Sequence, residues 1–183
     1  MQNLFFDPAT ADTTSVLGTT LLTASPSGAD PGQQIVAGFT NPVHPRNVVI
    51  TIGDLNVSIT GGTARVTGLD SRGLSRAEVI TIGASTGAST SHTGVVPFAT
   101  VSQIDLFNFT GLTAFSDTVA LGVGTKFGLT GKLNAASDVL YVNEAGTVLT
   151  SGYTVDATAS QQGITFVSAP NGARDYVIVF RVR

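Results

Sequence analysis

Apolar and polar side chains alternate with a period of two residues over most of the chain. The clearest alternating sets are Val48, Ile50 and Ile52; Val119, Leu121 and Val123; and Tyr176, Ile178, Phe180 and Val182. Side chains two residues apart lie on the same face of a β-strand. No stretch carries a sustained helical repeat with capping residues at its ends. The pattern therefore predicts an all-β chain.

Short segments rich in Gly, Asn and Asp separate the strand patterns. The segments 68–73, 143–146 and 169–172 each have the residues of a hairpin turn, and Asn171-Gly172 is the strongest such signal. The uncharged Ser/Thr/Gly segment 83–94 is typical of a loop.

Three zones follow from the spacing of these strands. Strands at this spacing predict a sandwich or a barrel rather than alternating strands and helices. Residues 44–130 hold six or seven strand candidates, and we predict that they form an immunoglobulin-like antiparallel β-sandwich. Residues 1–43 have only short apolar patches and predict an extended N-terminal arm. Residues 131–183 predict a C-terminal β-sheet region with a hairpin, either separate or packed as one domain with residues 44–130.

The arm contains three apolar pairs that are candidate assembly contacts. They are Phe5 and Phe6, Leu21 and Leu22, and Ile35 and Val36. Such pairs in a segment with little else to fold onto anchor either on a neighbouring subunit or locally on the same chain. Of these alternatives, we predict that the arm is held by a neighbour, because a short polar segment is marginal alone.

Composition excludes several classes of protein. Charged residues make up 11% of the 183 residues, and the net charge of −3 with nine basic residues argues against nucleic-acid binding. The apolar runs are far shorter than the roughly 20 residues of a membrane-spanning helix. Cysteine is absent, which excludes disulfides and thiolate chemistry. The N-terminus lacks the segments of a secretory signal, so we expect synthesis in a cytoplasm.

Candidate catalytic residues are isolated in the sequence. His44 and His92 have no His or Cys partner nearby, whereas metal ligands come in groups of three or four. The carboxylates are widely spaced, and only a clustering of Asp54, Asp70 and Asp105 in one cleft would favour a hydrolase. We therefore predict no catalytic residue, no metal, no cofactor and no enzymatic activity.

The low charge favours association instead. Few charged side chains protect the strand edges from pairing with other chains. This predicts self-association through β surfaces, with a trimer as the expected state.

Several segments resemble a β-sandwich pattern of tailed-bacteriophage virion proteins. They are PVHPRNVVITIG from Pro42, ITGGTARVTGLDSRG from Ile59, AEVITIG from Ala77, FATVSQI from Phe98 and DTVALGVGTKFGL from Asp117. The likeness covers residues 42–129, with a similar ending over residues 175–181. It carries no catalytic motif.

The resemblance implies a head decoration, or cement, protein on the capsid surface. Its partners would be the chain itself, as a trimer, and the major capsid protein. Tail and fibre components share similar sandwiches, so that alternative stays open, as does a cell-surface adhesion or glycan-binding β module. For a decoration protein we expect that removing residues 1–23 leaves the sandwich folded and weakens binding to the particle.

Overall fold

The structure is a computed structural model that describes residues 2–6, 15–22, 32–113, 116–158, 162–167 and 175–182. The strands are β1 (Gln2–Phe6), β2 (Ser15–Leu21), β3 (Gln33–Ile35), β4 (Arg46–Gly53), β5 (Gly61–Leu69), β6 (Ser75–Ile82), β7 (Ser89–Phe98), β8 (Thr100–Thr110), β9 (Thr118–Gly128), β10 (Val139–Glu144), β11 (Thr147–Val148), β12 (Tyr153–Asp156), β13 (Gly163–Phe166) and β14 (Tyr176–Phe180). In the described residues the sole helical element is a 3-10 turn at Ala136–Asp138. The predicted all-β class is confirmed.

The strands form three antiparallel sheets. Sheet A has the order β1-β14-β10-β11, and sheet C has the order β3-β8-β5-β6. Sheet B has the order β12-β13-β9-β4-β7, and β2 also pairs with β9. Strand β9 is therefore shared, because β2 pairs with its first half and β13 with its last residues.

Sheets B and C enclose the larger core, as the layers of a β-sandwich do. The alternating residues Val48, Ile50 and Ile52 of β4 are at most 1% exposed. They pack in one cluster with Val66 of β5 and Ile104 of β8 from the opposite sheet. Burial of apolar side chains stabilises this contact at about 25 cal/mol for each Å² removed from water.

Contacts between the two sheets close both sides of this sandwich. On one side the Glu78 carboxylate of β6 accepts hydrogen bonds from the backbone amides of Val95 and Val96 in β7. On the other side Leu17 of β2 forms an isolated bridge with Phe39, in the segment that continues from β3 of sheet C. The edges of sheets B and C that face each other are thus joined within the chain.

A second core lies beneath sheet A. Tyr176, Ile178 and Phe180 of β14 are fully buried there, against Phe127 at the end of β9 and Phe166 of β13. The rings of Phe127 and Phe166 meet edge to face with centroids 5.9 Å apart, a favoured aromatic geometry. The end of β9 therefore connects the two cores.

The described parts of residues 1–43 differ from an extended arm, because each adds a strand to one sheet. Strand β1 pairs with β14, β2 with β9, and β3 with β8. Val16 and Leu22 are 1% and 3% exposed and belong to the larger core. Removing residues 1–23 would therefore remove core side chains, which argues against the expectation that the sandwich stays folded without them.

Two of the predicted hairpins are confirmed. The turns at 68–73 and 143–146 join the paired strands β5 with β6 and β10 with β11. Residues 169–172, where the third hairpin turn was predicted, lie outside the described residues; the flanking strands β13 and β14 belong to different sheets. The loop predicted at 83–94 is wrong for its second half, because β7 begins at Ser89 and pairs with β4.

Candidate functional site

Asn47 lies at a double irregularity in the middle of sheet B. The register of β4 with each of its two neighbouring strands shifts at this level. The pairing with β7 shifts between Asn47 and Val49. The pairing with β9 shifts between Arg46 and Val48. The Asn47 side chain fills the resulting gap. Its Nδ2 donates to the carbonyl of Gly94 at 2.7 Å, and its Oδ1 accepts from the amide of Lys126 at 2.9 Å. One buried amide thereby replaces the ladder hydrogen bonds that two bulges remove.

Two glycines make room for these side chains. A Cβ on Gly124 would lie 2.5 Å from Asn47 Oδ1, and a Cβ on Gly94 would lie 2.5 Å from a carboxylate oxygen of Glu78. Both distances are shorter than side chains tolerate, so the site requires glycine at both positions. Glycine inside a strand pattern commonly marks such a bulge.

Glu78 is a buried carboxylate at this site. Its Oε1 accepts from the Val95 amide at 2.5 Å and its Oε2 from the Val96 amide at 3.2 Å. Burial raises the pKa of Glu78 above its ordinary value, and the two amides and the nearby charge of Lys126 offset part of that effect. Glu78 consequently holds a proton more readily than an exposed glutamate does.

The Lys126 side chain crosses strand β13 to reach β12. Its Nζ donates to the carbonyl of Val95 at 2.9 Å and to Oδ2 of Asp156 at 2.8 Å. On the intervening strand, a Cβ at Gly163 would lie 3.1 Å from Lys126 Cε. Gly163 therefore leaves the passage that the lysine occupies. The Lys126 side chain is only 7% exposed, against 30% for Asp156.

Asp156 is held as a carboxylate. Burial alone would raise its pKa, but the hydrogen bond from Lys126 and those from Thr158 lower the pKa below its ordinary value. The Asp156 and Lys126 charges balance each other at the site. Together with Glu78, the pair brings one amine and two carboxyl groups to the boundary between the two cores.

An open cleft of about 820 Å³ lies above this pair. Its walls come from the bulged parts of β7 and β9 and from β12 and β13, and hydroxyl groups dominate its polar lining. The threonines that line it are Thr93, Thr125, Thr154, Thr158 and Thr165. The cleft therefore presents several hydroxyls and one internal ion pair to a ligand.

The three carboxylates whose clustering in one cleft would favour a hydrolase lie apart. Asp54 accepts from the amide of Ile59, before the start of β5. Asp105 pairs in register with Arg65 in the middle of β5, and Asp70 follows the end of β5. These carboxylates are thus spread along the length of one strand. Among the described residues no three His, Cys, Asp or Glu side chains form a group that could hold a metal.

Neither histidine is among the residues that line the cleft. His44 is half-buried in the segment before β4. His92 is in β7, opposite Ile50 of β4. Burial lowers the pKa of His92, so the neutral ring is favoured at this position.

The apolar pairs of the N-terminal region have different environments. Leu22 is 3% exposed while its neighbour Leu21 is 54% exposed. Ile35 packs on the larger core, and Val36 beside it is exposed. Phe5 and Phe6 lie in β1, at the register positions opposite Val177 and Tyr176 of β14; no side-chain environment is described for them.

Sequence reasoning missed the polar site at Asn47, Glu78, Lys126 and Asp156. These residues are far apart in the chain and match no motif. The available signals were Gly94 and Gly124, glycines that interrupt strand patterns and so indicate bulges. A bulge does not reveal which side chain fills it.

Comparison with protein-family models, with curated proteins and with solved structures finds no match to this chain. Within the residues that the structure describes, no helix has the length and apolar character needed to cross a membrane.

Proposed function

We propose that this chain is a structural β protein that works by associating with copies of itself and with a larger assembly. The observation that carries the proposal is the outer face of sheet A. Val177 and Val179 alternate with the buried residues of β14 and are only half-buried. In register beside Val179 lies Tyr141, which is 37% exposed.

Further apolar side chains extend this face. Val148 on β11 is 53% exposed and Leu140 on β10 is 40% exposed. Contiguous exposed apolar surface usually marks a protein interface. By contrast, the sandwich edges at β6, β7 and β2 are joined within the chain, so sheet A is better suited than those edges to meet a partner.

The order of the central strands shares two pairings with an immunoglobulin-like sandwich. In that fold the second strand pairs with the fifth and the third pairs with the sixth, in opposite sheets. Here β4 pairs with β7 in sheet B, and β5 pairs with β8 in sheet C. The other pairings depart from that fold: β9 pairs beside β4, where a first strand would lie, β3 pairs beside β8, where a last strand would lie, and β6 pairs with β5 and not with β7. The order of the two facing sheets, β2-β9-β4-β7 and β3-β8-β5-β6, is that of an eight-stranded jelly roll.

The particular assembly we propose is the head of a tailed phage, with this chain as a trimeric decoration protein on the capsid surface. The support for a virion is the resemblance of residues 42–129 to virion β-sandwiches. The non-enzymatic part of the proposal rests on the separation of Asp54, Asp70 and Asp105 along β5. Tail and fibre positions are the competing locations within a virion.

The test combines solution mass with location in particles. Light scattering of the purified chain should give a trimer, and Val179→Glu should convert it to a monomer by placing a charge in the interface. Leu55→Glu is the matched control, because Leu55 is 78% exposed in the turn after β4. Antibody labelling of purified particles should mark the head. Tail labelling, or a chain that is monomeric in solution and absent from particles, would contradict the proposal.

The second candidate is a glycan-binding β module, and the threonine-lined cleft favours it. Hydroxyl groups and one balanced ion pair suit a neutral polyhydroxylated ligand. A glycan array separates the two functions. Binding that is lost in Thr93→Val and Thr154→Val would support the adhesion module, whereas an array without signal would leave the assembly role.

A further inference from the structure

We propose that Lys126 and Asp156 condense into an intramolecular amide bond that covalently joins the sandwich to the C-terminal sheet region. The bond would link the Lys126 Nζ to the Asp156 Cγ, and one water molecule would be released. This modification goes beyond the proposed assembly role and does not depend on it.

The geometry brings the reacting groups together. Lys126 Nζ lies 2.8 Å from Asp156 Oδ2, an atom bonded to the carbon that the amine would attack. The lysine side chain is enclosed, and the open passage over Gly163 directs it to this carboxyl group. Groups held at contact distance in a fixed orientation react far faster than the same groups free in solution.

The hydrogen bond between the two reacting groups provides the path for the proton. Among the described residues, Lys126 Nζ donates to the Val95 carbonyl and to Asp156 Oδ2, while Glu78 accepts from the amides of Val95 and Val96. The proton of the ammonium group therefore has a direct route to Asp156 Oδ2, the oxygen that must leave as water.

The step balances without an added reactant. The ammonium group of Lys126 gives one proton to Asp156 Oδ2 along the hydrogen bond between them, which leaves an amine and a neutral carboxyl group. The amine attacks Asp156 Cγ and forms the C–N bond, and the nitrogen then gives a second proton to the same Oδ2. The Cγ–Oδ2 bond breaks and water leaves. Asp156 is 30% exposed to the cleft, which provides the path for that water.

Mass spectrometry of the purified full chain tests the proposal. The chain has two lysines, Lys126 and Lys132, which gives a matched pair of variants. The wild type and Lys132→Arg should each be lighter than their calculated masses by one water. Lys126→Arg, which keeps the positive charge and cannot form the bond, should have its full calculated mass, as should Asp156→Ala.

A tryptic digest adds direct evidence. Trypsin should fail to cleave after Lys126, and a branched peptide should contain both Lys126 and Asp156. A wild-type chain with its full mass, cleaved normally after Lys126, would overturn the proposal.

Glu78→Gln tests the direct proton transfer separately. The amide should form at the wild-type rate when newly synthesised chain is sampled over time, because the hydrogen bond from Lys126 to Asp156 is kept. Formation about a hundredfold more slowly, the scale of general acid–base catalysis, would overturn the direct transfer. Circular dichroism of Lys126→Arg and Glu78→Gln checks that both variants retain the β-sheet spectrum of the wild type.

Discussion

Asn47 occupies the space that a side chain on Gly124 would need. A Cβ at Gly124 would lie 2.5 Å from Asn47 Oδ1 and 2.6 Å from Nδ2. Because the Asn47 amide is fixed by hydrogen bonds to Gly94 and Lys126, it cannot move aside without losing them. The two residues are therefore coupled, and the coupling holds β4, β7 and β9 together where the ladder is interrupted.

This coupling predicts a non-additive pair of substitutions. Gly124→Ala should destabilise the fold by about 1–3 kcal/mol, as overpacking does. Asn47→Ala leaves the Lys126 amide and the Gly94 carbonyl unpaired, at about 1–3 kcal/mol for each buried group. In the double variant the new methyl group enters the vacated space, so urea unfolding should give a total below the sum by about 1 kcal/mol.

Gly87→Ala is the control for this cycle, because nothing lies within 4 Å of a Cβ at that position. Its free energy of unfolding should stay within about 0.5 kcal/mol of the wild type. Strict additivity of Asn47→Ala and Gly124→Ala would mean that the two side chains do not compete for the same space.

Leu21 and Leu22 provide a second prediction from adjacent residues. Leu22 is 3% exposed and Leu21 is 54% exposed. Leu22→Ala should lower the free energy of unfolding by about 2–5 kcal/mol, because it leaves a cavity in the larger core. Leu21→Ala should change it by about 0.5 kcal/mol or less.

Thermal and urea unfolding of the two leucine variants distinguish the possible roles of this segment. If both variants unfold like the wild type, β2 does not contribute to the core, and the segment is instead an arm that needs a partner. A large loss for Leu22→Ala alone establishes that residues 15–22 belong to the folded unit.

The strands of this fold were predictable where alternation was strong. Val48, Ile50 and Ile52 identify β4 because their burial repeats every two residues. The segment Ser89–Thr93 has hardly any apolar residues and was predicted as a loop, yet it pairs with β4. Whether a segment pairs as a strand depends on the strand beside it. The composition of the segment does not indicate which strand that is.

The polar site could not be predicted for a related reason. Lys126 and Asp156 meet because β13 places Gly163 between them, and this depends on the register of three strands. The N-terminal region was equally hidden. A short apolar pair such as Leu21 and Leu22 can belong to an edge strand of its own chain or to a strand that pairs with a neighbouring chain. The local sequence pattern is the same in both cases.

His92 predicts how stability changes with pH. Burial lowers the pKa of His92 from its ordinary 6.5, and its Nε2 has no hydrogen-bond partner among the described residues. At pH values between 6.5 and the lower pKa of the folded state, His92 therefore binds a proton in the unfolded chain but not in the folded chain. Stability should fall as the pH decreases through that window.

Urea unfolding of wild type and His92→Gln at about pH 8 and about pH 5 checks this expectation. The glutamine variant should lose less stability between the two values, because the proton uptake by the unfolded chain at this position is removed. Equal losses for the two proteins would show that His92 is protonated as easily in the folded state as in the unfolded state.

Asp70 predicts a loss of stability in the same direction, at lower pH. Burial alone would raise its pKa, but the amides of Leu74 and Arg72 and the side chains of Arg72 and Arg76 lower it from 3.8. The carboxylate closes the turn between β5 and β6, with Arg76 Nε 2.9 Å from Oδ2. The stabilisation by the Asp70 carboxylate is fully present above pH 3.8. It is lost as the pH falls through the lower pKa that Asp70 has in the folded chain.

Asp70→Asn keeps one oxygen for the turn amides and removes the charge that binds the two arginines. Hydrogen bonds to a charged group contribute about 1.5–3 kcal/mol each, and both arginines are partly exposed, so we expect a loss of about 2 kcal/mol at neutral pH. Below 3.8 the difference from the wild type should shrink, because the wild-type carboxyl group becomes neutral as well. A difference that stays constant across this range would assign the role of Asp70 to the shape of the turn and not to its charge.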